Sequence, residues 1–392
     1  MAFLLTEAAH LTQGVYSFFV SVLQAVNIYI SSDEKLSEKH NTPKGIGLSR
    51  NAPLPDNLPT AVDIKKAIPK HCFQPRVSTS MYFVIKDFLL VGITYFSFRY
   101  VQDKIDNPLL YSASMLLYYA IQGTLFFALF VIGHDCGHGS FSAYPLLNDT
   151  MGTLTNGFLM APYYMWKLSH RRHHQHTSNI DKDEVYYPVR KSDAGSEGKV
   201  VPLFGFGVGW FGYLAFGYRP RAVNHYNPKH TMFRNHVLAC VISLMAEGAM
   251  AYVLYEYTKA HGLPALFHYY LVPLFIFASY MVIITFLHHH EENIPWYGDE
   301  RWDFVRGQLS SVDRHYGIVH DVIHNIGTHQ IHHLFAKIPH YHLEEATVHF
   351  RKTFPELVRV SEEPILPSFF RMFKKYERQC VIDDDKKVHV YE

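Results

Sequence analysis

Three clusters of histidine define the chemistry open to this chain: His134 with His138, His170 with His173 and His174, and His329 with His332 and His333. Their spacings of i, i+3 and i+4 bring the imidazoles of each cluster onto one face of a helix, where they converge. A lone histidine is more often a surface or hydrogen-bonded core residue than a ligand. Two copies of H-x-x-H-H beside one H-x-x-x-H are a different case, and these eight imidazoles predict a metal site. Imidazole suits zinc, copper, iron and nickel alike, and the set lacks the thiolates that favour copper(I) or an iron–sulfur cluster. One catalytic zinc takes about three protein ligands and a structural one about four. Eight donors are therefore enough for two ions.

The elements that must position these clusters are apolar. The chain has 392 residues, of which 48% are hydrophobic and 18% charged, with 27 His, 29 Phe and 27 Tyr. That profile excludes a disordered chain. Four segments approach or exceed the roughly 20 residues needed to cross a bilayer: 81–100, 109–133, 236–257 and 265–287. The loops Arg99–Pro108 and Thr258–Pro264 are too short to hold a domain, so each pair is a hairpin that returns the chain to the side it left. All three clusters then share one side. Lys and Arg are dense there (Lys167, Arg171, Arg172, Lys182, Arg190, Arg219, Arg221, Arg314), while the two short loops carry only Arg99, Lys104 and Lys259. The positive-inside rule makes the clustered side cytosolic, together with both termini.

The expected architecture is an all-α integral membrane protein: four transmembrane helices in two hairpins plus interfacial helices, under a cytosolic histidine-rich helical cap. Residues 1–60 form an N-terminal interfacial and linker region. Within it Gly14–Ile30 reads as an interfacial helix and 31–60, with four prolines, as a linker. Residues 61–350 form the body and 351–392 a cytosolic tail, in which the apolar runs around Cys380–Tyr391 suggest a small surface hairpin. No cleavable signal peptide is legible. Met151–Trp166 and 200–218 read as short interfacial segments. The second contains Gly207, Gly209 and Gly212 in G-x-G-x-x-G spacing, but no strand pattern precedes it and no acidic residue follows at the required distance, which excludes a dinucleotide site. Cys72, Cys136, Cys240 and Cys380 are widely separated, which excludes a disulfide framework or zinc ribbon and suggests reduced thiols. The sequon at Asn148 falls on the cytosolic side and is expected to be unglycosylated. A net charge of +1 decides nothing about partners, and the basic residues flank the spans rather than an aromatic-rich soluble face, so nucleic acid is not expected.

His134 directly follows the second span, and His288, His289 and His290 directly follow the last. Metals held there sit at the cytosolic mouth of the bundle, within reach of a chain entering from the bilayer. The natural substrate is a long hydrocarbon.

The words HDCGHGSF (His134–Phe141), HRRHH (His170–His174) and HQIHH (His329–His333) resemble the three histidine boxes of the membrane fatty acid desaturases. Pro145–Asn148, Arg306-Gly307, Asp313-Arg314 and Ile338–Thr347 match as well, and the similarity runs from about Leu58 to the end of the chain. Within that family the chain is most similar to the methyl-end branch of delta-12 and omega-3 enzymes, and Ile326–Phe335 with Ile338–Leu343 resembles omega-3 members more than plant delta-12 members. The resemblance implies a non-haem centre of two Fe ions with O2 as co-substrate. It implies the eight box histidines as ligands, with a ninth from the end of the last span, for which His289 aligns ahead of His288 and His290. It also implies Asp135 and Asn325 as residues that orient ligands, the alternative being local cap or turn contacts.

The implied reaction is omega-3 desaturation, a cis double bond inserted near the methyl end of an unsaturated acyl chain of the linoleoyl type. Removing two hydrogens supplies two electrons, whereas reduction of O2 to water takes four. Two must come from outside. The chain has no flavin or nicotinamide motif and no His-Pro-Gly-Gly word of a fused haem domain, so cytochrome b5 and its reductase are the implied donors, in the endoplasmic reticulum membrane. The acyl carrier is a phospholipid or coenzyme A. Delta-12 desaturation or hydroxylation on the same site remains an alternative, as does a membrane zinc-binding or transport protein. Transport predicts ionisable residues along the spans, where this chain has only Lys86 and Asp87 near one end and Glu247 nearly alone. Tyr118, Tyr119, Phe126, Phe127, Met160 and Met281 could line an acyl tunnel, although helix packing explains each of them better. Lys167, Arg171 and Arg172 could bind a phosphate, or reflect positive-inside bias alone.

Overall fold

The computed structural model describes residues 54–55, 57–194 and 205–392. The expected helix at Gly14–Ile30 and nearly all of the 31–60 linker lie outside the described residues. The described chain opens with α1 (Ala61–Ala67), whose N-cap Thr60 accepts from the Asp63 amide, and a 3-10 turn at Lys70–Phe73. Two hairpins of long helices then carry the molecule. The first joins α2 (Val77–Gln102) to α3 (Pro108–His138). Asn107 caps α3 by accepting from the amides of Leu109 and Leu110, and Pro108 occupies a first-turn position where no amide donor is needed.

Between the hairpins lie α4 (Pro145–Phe158), α5 (Tyr163–His176) and α6 (Val208–Phe216). The second hairpin joins α7 (Val237–His261) to the helical run α8 (Leu263–His289). Within α8, Pro273 has no amide to offer the carbonyl of Tyr269, and the backbone widens into a π turn at Phe267–Leu271 just before it. The carbonyl so released accepts from the Tyr118 hydroxyl at 2.9 Å. The chain closes with α9 (Phe304–Gln308), α10 (His329–Leu334), α11 (His340–Thr353) and α12 (Ile365–Gln379).

All four long helices are long and apolar enough to cross a membrane. They divide into an inner and an outer pair. Helices α3 and α8 pack on each other through Phe126, Phe127, Phe130, Phe277 and Met281 in the principal core. Helices α2 and α7 present Ile85, Leu89, Ile93 and Phe96, and Leu238, Ile242 and Met245, outward, as lipid-facing helices must. The 31 residues of α3 extend about 46 Å, well past a hydrocarbon core of about 30 Å. The expected span ended at residue 133 with the first histidine pair beyond it. The helix instead runs on without a break, so His134 and His138 sit on its last turn, and Gly139 closes it in the left-handed conformation (φ 67°).

Met151–Trp166, expected as one short segment, is divided between α4 and α5 by a bend at 159–162, where Met160 takes a positive φ of 53° ahead of Pro162. Both helices pack under α3 and α7. Gly209 and Gly212 lie inside α6, in agreement with rejection of a phosphate loop. The tail does not form the expected surface hairpin. Val381–Ile382 pairs in parallel with Val189–Arg190, and Val388–His389 pairs antiparallel with Trp296–Tyr297. A local hairpin would have left both runs in solvent, whereas this arrangement buries Ile382, His389 and Tyr391. A second, smaller core docks Ile64, Ile68 and Cys72 against Ile331, Leu334, Ile338 and Leu343, fastening α1 beside the third histidine cluster.

The residues weighed as tunnel lining behave as packing. Tyr118 bonds Tyr269, Tyr119 bonds His268, and Phe126, Phe127 and Met281 are buried in the inner helix pair. Asn148 is buried, with its amide donating to the Ser142 carbonyl at 3.0 Å and its oxygen accepting from the Ser142 hydroxyl at 2.6 Å. No glycan can be attached there in the folded protein.

Candidate metal centre

The three histidine clusters, between 32 and 199 residues apart in sequence, meet at the ends of α3 and α8 remote from the short loops. His134 and His138 come from the last turn of α3, His170, His173 and His174 from α5, His289 from the last turn of α8, and His329, His332 and His333 from α10. Five of them (His134, His138, His170, His174 and His332) offer ring nitrogens that all lie within 4.8 Å of one another. His173, His289 and His333 form a second group of the same kind. His329 joins it, its Nε2 lying 3.1 Å from His289 Nε2 and 2.9 Å from His333 Nε2. The halves abut where the rings of His174 and His333 stack at 4.1 Å.

Hydrogen bonds at the rear of two rings set the direction of their lone pairs. Asp183 Oδ1 accepts from His173 Nδ1 at 2.6 Å, and is itself held by the amides of Ser178 and Glu184 through its two oxygens. Gln308 donates to the His174 carbonyl, so its oxygen faces His333 Nδ1 as an acceptor at 3.1 Å. Thr177, whose hydroxyl donates to the His173 carbonyl, lies at the same distance. With Nδ1 protonated, Nε2 of both rings carries its lone pair into the cluster. Burial holds His170, His174, His329, His332 and His333 well below the usual imidazole range, hence neutral at physiological pH. His170 Nε2 is buried without a partner. Neutral imidazoles whose lone pairs converge repel one another unless a cation lies among them. The donor set fits a metal centre.

The neighbours of His289 serve other ends. His288 has both nitrogens engaged, Nδ1 with the Val312 carbonyl at 2.5 Å and Nε2 with the Tyr316 hydroxyl at 2.9 Å. His290 Nε2 meets the Tyr186 carbonyl at 3.0 Å, and its Nδ1 lies 3.2 Å from the Phe286 carbonyl. Neither has a nitrogen directed at the cluster.

The two residues expected to orient ligands do not do so by hydrogen bonding. Adjacent positions on a helix point about 100° apart; Asp135 Oδ1 stays 3.8 Å from His134 Nδ1, beyond hydrogen-bond reach, and Oδ2 accepts from the amide and Nδ1 of His340 at 3.0 and 2.9 Å. Asn325 holds a turn at positive φ, and its Oδ1 has no partner. The residues that fill that role, Asp183, Gln308 and Thr177, carry no signal in the sequence that separates them from ordinary surface polar residues. Of the basic residues weighed as a phosphate site, Lys167 is committed to Asp149 and Arg172 to Glu184 at 2.7 Å. Along the spans, Asp87 is paired with His324 at 2.6 Å and with Lys86 at 3.2 Å, and Glu247 is buried in α7. These do not make a conduction path.

Comparison with known proteins gives the same picture. Residues 110–363 match the fatty acid desaturase family model. The sn-1 acyl-lipid omega-3 desaturase (ferredoxin) of Nostoc sp. (strain 36) is 37% identical over 319 residues, covering 79% of this chain and 86% of the relative. The endoplasmic reticulum omega-6 fatty acid desaturase of Brassica juncea is 36% identical over 332 residues, covering 81% and 86%. The oleoyl-12-hydroxylase of Ricinus communis is 38% identical over 331 residues, covering 81% and 85%. With its four membrane helices and convergent histidine boxes, this chain belongs to the fatty acid desaturase family, membrane oxidoreductases that act on acyl chains.

Proposed function

We propose that this chain is an oxygen-dependent acyl-lipid desaturase that inserts a cis double bond near the methyl end of an unsaturated acyl chain, linoleoyl-type chains becoming omega-3 products. The observation that carries this reading is the nine-imidazole cluster, divided five and four, at the ends of helices whose outer faces meet lipid. Two iron ions are the proposed occupants, with His134, His138, His170, His174 and His332 holding one and His173, His289, His329 and His333 the other. Bound there, they would supply the activation of O2 that an unactivated methylene pair requires.

The protein's part is to keep His170, His174, His329, His332 and His333 neutral, to orient His173 and His333 through Asp183, Gln308 and Thr177, and to fix the register of the acyl chain. Burial of that chain contributes on the order of 0.8 kcal/mol per methylene, so affinity is easily obtained and register is the demanding requirement. Two electrons per turnover come from a separate donor. Cytochrome b5 with its reductase suits an enzyme of the endoplasmic reticulum with its boxes on the cytosolic side, while the Nostoc relative is named for ferredoxin. Delta-12 desaturation and 12-hydroxylation are the second reading, favoured by relatives with those names at 36% and 38% identity.

The deciding experiment is the fatty acid profile, by gas chromatography with mass spectrometry, of yeast expressing this chain and fed linoleate or oleate. An omega-3 triene from linoleate, lost in His332→Ala, is the expected result. Linoleate formed from oleate, or a hydroxylated product, moves the assignment to the second reading. Metal analysis of the purified protein is expected to find iron, and zinc alone in the nine-imidazole cluster would overturn the oxidase.

A further inference from the structure

A second group of metal-binding side chains lies apart from the nine imidazoles, and we propose that His71, Cys72, His342 and Glu345 bind a zinc ion that clamps the segment around α1 to the helix after the third histidine box. One donor atom from each of the four lies within 4.8 Å of every other. His71 and Cys72 are adjacent on the 3-10 turn Lys70–Phe73, and His342 and Glu345 stand at i and i+3 on α11, on one face of that helix. His71 Nε2 is 2.9 Å from both Glu345 oxygens, His342 Nδ1 is 3.9 Å from Glu345 Oε2, and the two imidazoles meet edge to face at 5.4 Å. Ligands of a tetrahedral zinc lie about 3.3–3.8 Å apart. A contraction of roughly 1 Å, within side-chain freedom, closes the shell.

The donor chemistry selects the ion. Two imidazoles, one thiolate and one carboxylate form a borderline set that suits zinc and is foreign to magnesium or calcium, which take oxygen. Cys72 is fully buried, and its Sγ lies within 4.8 Å of the other three donor atoms. His342 Nε2 is buried without a partner. The outer side of the group is open, with 48% of the His71 side chain exposed, which leaves a path for the metal. The inner side is the small core in which Cys72 packs with Ile64, Ile331, Leu334 and Ile338, so an ion there ties the docked segment to α11, the helix that follows the third box.

The test uses the purified full-length protein in detergent. Zinc is measured by elemental analysis, and cobalt(II) is added as a spectroscopic probe after chelation. The nine-imidazole cluster contains no sulfur, so a thiolate-to-cobalt charge-transfer band reports only on a cysteine site. The expected results are about one zinc per chain, a thiolate band in the wild type and in His170→Ala, and loss of both zinc and band in Cys72→Ser. His342→Gln and Glu345→Gln, at side chains 15% and 34% exposed, are expected to weaken cobalt binding even if Cys72→Ser fails to fold. Absence of the band in the folded wild type, or unchanged zinc and band in His342→Gln and Glu345→Gln, overturns the proposal.

Discussion

In the four-imidazole half of the cluster, Asp183 accepts from His173 at 2.6 Å and Gln308 and Thr177 both stand 3.1 Å from His333 Nδ1, while the Nδ1 atoms of His289 and His329 are buried without hydrogen-bond partners, as are those of His134 and His174 in the five-imidazole half. The five-membered half is held by packing instead. His170 lies flat on Trp166 with ring centroids 4.6 Å apart, and His134 and His138 are carried by the buried end of α3. The four-membered half also uses packing, since His329 stacks on His288 at 4.0 Å, and His288 is itself fixed by two hydrogen bonds. Two rings of one half, His173 and His333, are thus oriented by directional bonds to side chains, and the other half rests on helix rigidity and ring stacking. The difference teaches that the halves should fail differently when their surroundings are altered.

The largest effect is expected from His332→Ala, which removes a donor from the five-membered half. Product formation should fall below detection and metal content should drop. Retention of both would break the assignment of that half.

Asp183→Asn comes next, because it removes the charged acceptor behind His173. Loss of such a partner typically costs about 10–100-fold in metal affinity. A chelator competition series should show that loss in Asp183→Asn and a smaller one in Trp166→Phe. The reverse order would invert the comparison between the halves.

Gly133→Ala tests the scaffold that both halves share. A methyl group there collides with Asn156 and Thr155 of α4, and overpacking of this kind typically costs about 1–3 kcal/mol. A lower unfolding temperature in detergent, with the metal ratio per folded chain preserved, is the expected outcome.

A pH effect arises outside both halves. His225 is buried with neither ring nitrogen bonded, and burial depresses it from 6.5 to about 4; His389 is likewise lowered to about 4. On acidification the unfolded chain takes up these protons first, so stability is constant above about pH 6.5 and declines as pH falls toward 4. Thermal melts across that window should show the decline, and His225→Gln should make it shallower.

The smallest effect is expected for Thr177→Val, which leaves Gln308 on His333. A change of about tenfold or less in metal affinity, measured by the same chelator series, would place Thr177 below Asp183.

Much of the site could be read in advance because it is written in local periods. H-x-x-H-H fixes which rings share a helix face whatever surrounds them, and long apolar runs identify helices that need no partner to satisfy their backbone. The four long apolar helices therefore lie close to the expected spans, and the eight box histidines come together in space. His289 stood out only by likeness to relatives. The hydrogen-bonding of His288 and His290 to Val312, Tyr316 and Tyr186 is what sets it apart in space. Asp135 was named by the same likeness, and its hydrogen bonds go to His340 while its other oxygen lies 3.8 Å from His134 Nδ1.

By itself, the order of residues determined the main element types, the number of long apolar helices and which imidazoles share a helix face, since these depend on interactions within about one helical turn. Only the tertiary structure decided the division into five and four, the supporting roles of Asp183 and Gln308, the split pairing of the tail and the meeting of His71 and Cys72 with His342 and Glu345. Those contacts join residues from ten to more than two hundred positions apart. They exist because burying the inner faces of α3, α8, α10 and α11 brings distant segments together, and no local pattern encodes which polar atoms then face each other.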